Sequence, residues 1–240
     1  MAASHALTVL ELQSGRELAF AEWGDPQGTP VFGFHGTPGS HRQISPWDEA
    51  GRAEHVRVIA PDRPGYGHSR YDPYRRLVDW PRDVAELAAH LGLARFGVFG
   101  VSGGGPHAAV CAHALGDRLL GAAIVSGVAP PEAPARTDGM MGPNKLNFAL
   151  ARQSPLLVLP MMALSLFARP WGFRLEDISA SVHVWHGDAD RNVPVSHGRY
   201  QADRIPNAKL HLYPGEGHML FFEHTAEILR AAAGRPTEPA

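Results

Sequence analysis

Short apolar runs recur along the chain at residues 9–12, 18–23, 31–34, 56–60, 96–101, 120–125, 182–186 and 210–213. Most do not alternate cleanly between apolar and polar positions, the pattern of strands buried on both faces of a parallel sheet. The first two are joined by a turn at Ser14 and Gly15. Between the later runs the period becomes helical. Trp80, Val84, Leu87, Ala88 and Leu91 predict a helix with Asp79 as its N-cap. Residues 104–115 are small and apolar, with Pro106 near the start and Gly116 just beyond the end, which predicts a second. Phe222, Ile228 and Leu229 predict a final helix after His218. Strands alternating with helices predict an α/β fold: a mostly parallel, doubly wound sheet with helices on both faces.

The stretch 127–177 breaks this rhythm. It begins with a proline-rich loop, continues through 139–144, and predicts two helices, near 145–153 and 156–168, with no clear strand. It reads as a short helical insertion in a single domain whose core is 1–126 and 178–240. The most apolar stretch, 156–167, is interrupted by Pro160 and falls well short of the roughly 20 residues of a membrane span.

Composition narrows the function classes. Lys plus Arg is 22 and Asp plus Glu 24, a net charge of −2, which gives no electrostatic reason to hold nucleic acid or an anionic membrane. Cys111 is the one cysteine, so neither an internal disulfide nor a cysteine-rich zinc site is available. The N-terminus lacks a basic region followed by an apolar one, and a cytoplasmic location is the expectation. The histidines do not form a metal set. His183 and His186 lie three apart on a strand and face opposite ways, and His107, Cys111 and His113 share a helix with no acidic ligand, so no metal or cofactor is expected.

The chemistry lies at the ends of the apolar runs. Gly100-Val101-Ser102-Gly103-Gly104 sits where a strand turns into a helix, the setting in which G-x-S-x-G presents a nucleophilic serine. The flanking Gly100 and Gly104 keep side chains out of the tight turn, and the helix N-terminus behind it offers N–H groups to a developing oxyanion. His35-Gly36-Thr37-Pro38-Gly39 follows an earlier strand. The Thr37 N–H is the candidate second oxyanion donor beside that of Gly103, and His35 is expected to brace this loop. A serine hydroxyl needs a base, and the base a carboxylate to fix its tautomer. His218, in Gly215-Glu216-Gly217-His218, supplies the first; Asp188 and Asp190, in His186-Gly187-Asp188-Ala189-Asp190, are candidates for the second. Serine, acid, histidine is the chain order of this fold. Arg63 is expected in a structural salt bridge or turn contact, and Met140, Met141, Met161 and Met162 in pocket or cap lining.

HGTPG, PDRPGYGHS at 61–69, GVSGG, HGDADRNVP and GEGH occur in that order, and through them the sequence resembles the α/β-hydrolase superfamily over nearly its whole length. More narrowly it is similar to bacterial serine esterases of the pimeloyl-ester carboxylesterase type. The resemblance implies the pattern G-x-x-D-x-x-V-P, in which Gly187 selects Asp190 over Asp188. It implies cleavage of a small-molecule carboxylic ester through an acyl-enzyme by Ser102, His218 and Asp190. It also implies several cap helices, of which the roughly fifty residues here leave a shortened set. With less cap to cover residues 156–167, a homodimer through this segment or modest solubility is expected. Two rivals remain: the same triad acting on a peptide or carbon–carbon bond, and a non-catalytic binder of small molecules on the same fold.

Overall fold

The computed structural model describes residues 6–134, 137–153 and 163–238. Eight strands form one sheet: β1 (Thr8–Glu11), β2 (Glu17–Gly24), β3 (Thr29–Phe34), β4 (Val56–Pro61), β5 (Phe96–Val101), β6 (Leu119–Val125), β7 (Val182–Gly187) and β8 (Ala208–Tyr213). Their order is β1-β2-β4-β3-β5-β6-β7-β8. The first two pairings are antiparallel and all later ones parallel. This is the predicted doubly wound α/β architecture, and its strands sit within two residues of the apolar runs.

Strand β5 explains why those runs do not alternate. Phe96 and Val98 enter one apolar cluster, with Leu87 of α2 (Trp80–His90) and Val110 of α3 (Gly105–Ala114). Phe99 and Val101 enter the other, with Trp47 and with Ile228 and Leu229 of α7 (Thr225–Ala232). Both faces are covered, so every position is apolar. Trp47 stacks on Phe99 with centroids 4.2 Å apart. Cys111 lies on α3, fully buried.

The loop after β4 is held by its own polar residues. The Asp62 carboxylate accepts the backbone N–H groups of His41, at 2.6 Å, and His68, at 2.9 Å, and pairs with the His41 ring. Ser69 Oγ donates to the Asp62 carbonyl and accepts the Ala19 N–H, which ties the loop back to β2. Gly67 fits only because it lacks a side chain: its φ is +54° and a Cβ would lie 1.9 Å from Asp62 Oδ2.

Several expectations change in detail. Asp79 stands at the N-cap position of α2 as expected, but its side chain makes no capping bond there; its carboxylate accepts the Arg76 N–H and closes the 3₁₀ turn Leu77–Asp79 before it. Phe222 belongs to a separate 3₁₀ turn, Leu220–Phe222, and is exposed rather than part of the last helix. Two helices without a predicted counterpart are α1 (Asp48–Ala53) and α6 (Val195–Arg204). In the insertion, α4 (Gly142–Gln153) and α5 (Ala163–Ala168) are present, and no strand occurs there among the described residues. The remainder of the second predicted helix, 156–162, lies outside the described residues, as do Met161 and Met162. No helix among the described residues is long and apolar enough to cross a membrane.

Candidate active site

The predicted residues converge at the C-terminal ends of the parallel strands, where ligands bind on open α/β sheets. Ser102 directly follows β5, and one 3₁₀ turn, Ser102–Gly104, leads into α3. Its φ of +54° is a strained value for a residue with a side chain, and it turns the serine out of the strand line. The turn closes because Gly100 and Gly104 have no Cβ. One on Gly100 would lie 2.1 Å from the Gly104 carbonyl, and one on Gly104 the same distance from that of Phe34.

The candidate acid and base lie just beyond the last two strands of the sheet. Asp190 follows β7 and is buried; His218 follows β8 and lines the cavity beside Ser102. His218 Nδ1 lies 2.7 Å from Asp190 Oδ2. A carboxylate only accepts, so the proton sits on Nδ1 and leaves Nε2 as the basic nitrogen. The other Asp190 oxygen accepts the N–H groups of Asn192, at 2.8 Å, and Val193, at 2.9 Å. Burial alone would raise this carboxyl, but His186, His218 and the Val193 N–H together hold it well below the usual carboxylate range. The sequence offered His186 only as a metal candidate, and its contact with Asp190 was not foreseen. His186 is fully buried, donates from Nε2 to the Val193 carbonyl at 2.8 Å, and keeps that nitrogen 3.5 Å from Asp190.

Asp188 has a different task. It is exposed and accepts the Gly215 N–H at 2.7 Å. With the Ala189 N–H bonding the Glu216 carbonyl at 3.0 Å, it joins the loop carrying Asp190 to the loop carrying His218. Ser126, in the left-handed region after β6, adds a tie by donating Oγ to the His218 carbonyl at 3.3 Å.

Facing them is the loop after β3. His35 Nε2 accepts the Arg63 N–H at 3.1 Å, so its Nδ1 carries the proton, which it donates to the Gly36 carbonyl at 2.9 Å. Burial and the Arg63 charge push this imidazole well below its ordinary range, so it braces the loop as a neutral group. Gly36 donates its N–H to Gln43 Oε1. Thr37 abuts the serine turn: a Cβ on Gly103 would lie 2.3 Å from Thr37 Oγ1. Arg63 makes no salt bridge among the described residues; its guanidinium bonds the Gly36 and Gly103 carbonyls and Thr37 Oγ1.

The cavity, open to the surface on one side, measures about 280 Å³. Thr37, Gln43, Ser102, Asn144, Asn147, Asn192 and His218 form its polar wall, and Val128, Phe148, Phe167, Val193, Met219 and Phe221 its apolar one. Met140 packs behind it with Val128 and Phe148, whereas Met141 is exposed. The lining includes no Asp, Glu, Lys or Arg among the described residues. Nor do three or more His, Cys, Asp or Glu gather there or elsewhere among them as a metal site.

The family model for the alpha/beta hydrolase fold matches residues 29–152. A 2-hydroxy-6-oxo-6-phenylhexa-2,4-dienoate hydrolase of Burkholderia cepacia is 29% identical, the match covering 82% of this chain and 84% of that protein. A non-heme haloperoxidase of Rhodococcus erythropolis is 25% identical, over 85% of this chain and 90% of that one. Among solved structures, a thermophilic esterase from Thermogutta terrifontis is 25% identical and superimposes with a TM-score of 0.67, covering 94% of this chain and 96% of its own. With its sheet order, its strand–serine–helix turn and this match over half its length, the chain belongs to the α/β-hydrolase fold family and is a hydrolase of that fold.

Proposed function

We propose that the protein is a serine hydrolase of small, neutral carboxylic esters. The reading is carried by the 2.7 Å contact between His218 Nδ1 and Asp190 on the cavity that Ser102 also lines. His218 Nε2 takes the Ser102 proton as Oγ attacks the ester carbonyl, and the N–H groups of Thr37 and Gly103 receive the oxyanion. The tetrahedral intermediate expels the alcohol, which leaves with the proton from His218. Water, deprotonated by the same nitrogen, then releases the acid and restores Ser102.

The lining, uncharged among the described residues, favours a neutral ester over a carboxylate-bearing dienoate, which needs a cation to hold its anion. A 280 Å³ cavity lies at the lower end of small-molecule sites, which favours short acyl chains. A fluorophosphonate probe is expected to label Ser102, and Ser102→Ala to lower p-nitrophenyl acetate hydrolysis by about 10⁴-fold or more. Folded protein that takes no label, or a Ser102→Ala variant that keeps more than a few per cent of activity, sinks the assignment.

A further inference from the structure

The reaction just proposed leaves one buried cation unused. Arg63 is 1% exposed and lies directly behind the loop and turn that carry Thr37 and Gly103. Its Nη2 donates to the Gly36 carbonyl at 2.7 Å and to Thr37 Oγ1 at 2.8 Å; its Nη1 donates to the Gly103 carbonyl at 3.2 Å. The Tyr66 ring covers it at 4.9 Å from the centroid, and His107, itself bonded to the Gly103 carbonyl, closes the far side. Burial pulls the guanidinium down only to about 10, so it is charged throughout the neutral range. A buried charge whose partners are carbonyls, a hydroxyl and a ring is costly for the folded state, because dipoles replace the lost hydration only in part.

We infer that Arg63 is a positioning residue for the oxyanion hole, fixing and polarising the Gly36–Thr37 peptide and adding positive potential where the carbonyl oxygen becomes negative. The inference rests on the ester-hydrolase reading above. The connection is chemical. The Gly36 carbonyl and the Thr37 N–H are the two ends of one peptide group. A charged donor on the carbonyl oxygen draws electron density along the amide and strengthens the N–H at the other end as a donor. The same guanidinium fork spans to the Gly103 carbonyl, so it sets the spacing between the loop after β3 and the turn after β5. The substrate carbonyl is neutral before attack and anionic after it, so a fixed positive potential here acts mainly on the transition state. A lysine keeps the charge but not the planar fork that reaches both carbonyls at once.

The experiment compares Arg63→Met and Arg63→Lys with the unaltered protein. It measures kcat and KM for p-nitrophenyl acetate and the affinity for a trifluoromethyl ketone, which adds Ser102 to form a tetrahedral oxyanion. Near-UV circular dichroism monitors the fold. Arg63→Met is expected to lower kcat by about 10²-fold, the size of losing one oxyanion donor, with KM changed less than about two-fold. Ketone affinity should fall by the same factor as kcat/KM, and Arg63→Lys should recover part of both. The inference is overturned if a folded variant keeps kcat/KM and ketone affinity within about three-fold of the original. It is equally overturned if only KM moves, or if neither variant folds, since Arg63 is then structural alone. Unaltered protein that takes no fluorophosphonate label brings down the ester-hydrolase reading instead, so the two failures are distinguishable.

Discussion

Asp190 and Asp188 lie two residues apart and do different things. Asp190 is buried and bonded to His218, whereas Asp188 is exposed and accepts one backbone N–H. Asp190→Asn is expected to cut turnover by about 10⁴-fold, because an amide can donate to Nδ1 and favour the wrong tautomer. Asp188→Asn should do little, since the amide oxygen can still accept the Gly215 N–H; parallel p-nitrophenyl acetate assays of the two variants decide it. The depressed Asp190 carboxyl also has a stability consequence. Its contribution is fully present above the unfolded value of about 3.9 and is lost as pH falls through the lower folded value. Asp190→Asn should therefore shrink the difference between urea midpoints at pH 7 and pH 3; an unchanged difference counts against the carboxylate being ionised when folded. At this scale the sequence was readable wherever a residue type and a strand end coincide, as at Ser102 and His218. It was not readable where the partner comes from elsewhere in the fold. Nothing around Arg63 in sequence says that its partners are the carbonyls of Gly36 and Gly103, and nothing around Asp79, which does sit at the N-cap position, says that its carboxylate turns back to the Arg76 N–H.

The elements were legible in proportion to their burial. Strands β3 to β7, apolar on both faces, stood out as runs. The helices α1 and α6 did not: DEAGRA is short and interrupted by Gly51, and VSHGRYQADR has too few apolar residues to show a stripe. Each is fixed instead by what it packs on, α1 on β2 and α6 on β7 and β8. The loop after β4 shows the converse, a segment with no periodicity whose polar side chains define it. It also sets where Arg63 points, so damage there should reach the active site. Gly67→Ala combines a positive φ with a clash against Asp62, and is expected to cost about 2 kcal/mol or more in urea unfolding. Loss of activity should accompany it in the protein that stays folded. A Gly67→Ala variant as stable and active as the original would show that this loop tolerates rearrangement.

Across the whole molecule, the proposed acid and base follow the last two strands and the proposed nucleophile and oxyanion loop the central ones, while the insertion supplies Val128, Asn144, Asn147, Phe148 and Phe167 to the cavity wall. The insertion has the least regular pattern in the chain, which is why its part of the wall was harder to read than the core's. The expected outcome is faster hydrolysis of acetate and butyrate esters than of octanoate, by about ten-fold or more in kcat/KM given so small a cavity. Comparable rates across the series would mean the acyl chain bypasses this wall. Leu146, exposed on α4, and Met219 and Phe222, exposed beside the His218 loop, keep a dimer through the cap as a proposal that light scattering decides. The single thiol offers a further use of the core. Cys111 is sealed on the helix that begins at the serine turn, and burial pushes its thiol well above the ordinary range. The protein thus carries its own clock for opening. A disulfide reagent such as dithiobis-nitrobenzoate can count only molecules in which α3 has parted from the sheet, with no label to engineer and no second thiol to subtract. Gly67→Ala should quicken that clock by the same factor by which it lowers stability; a rate that stays fixed would reveal α3 opening on its own, independent of the rest of the fold.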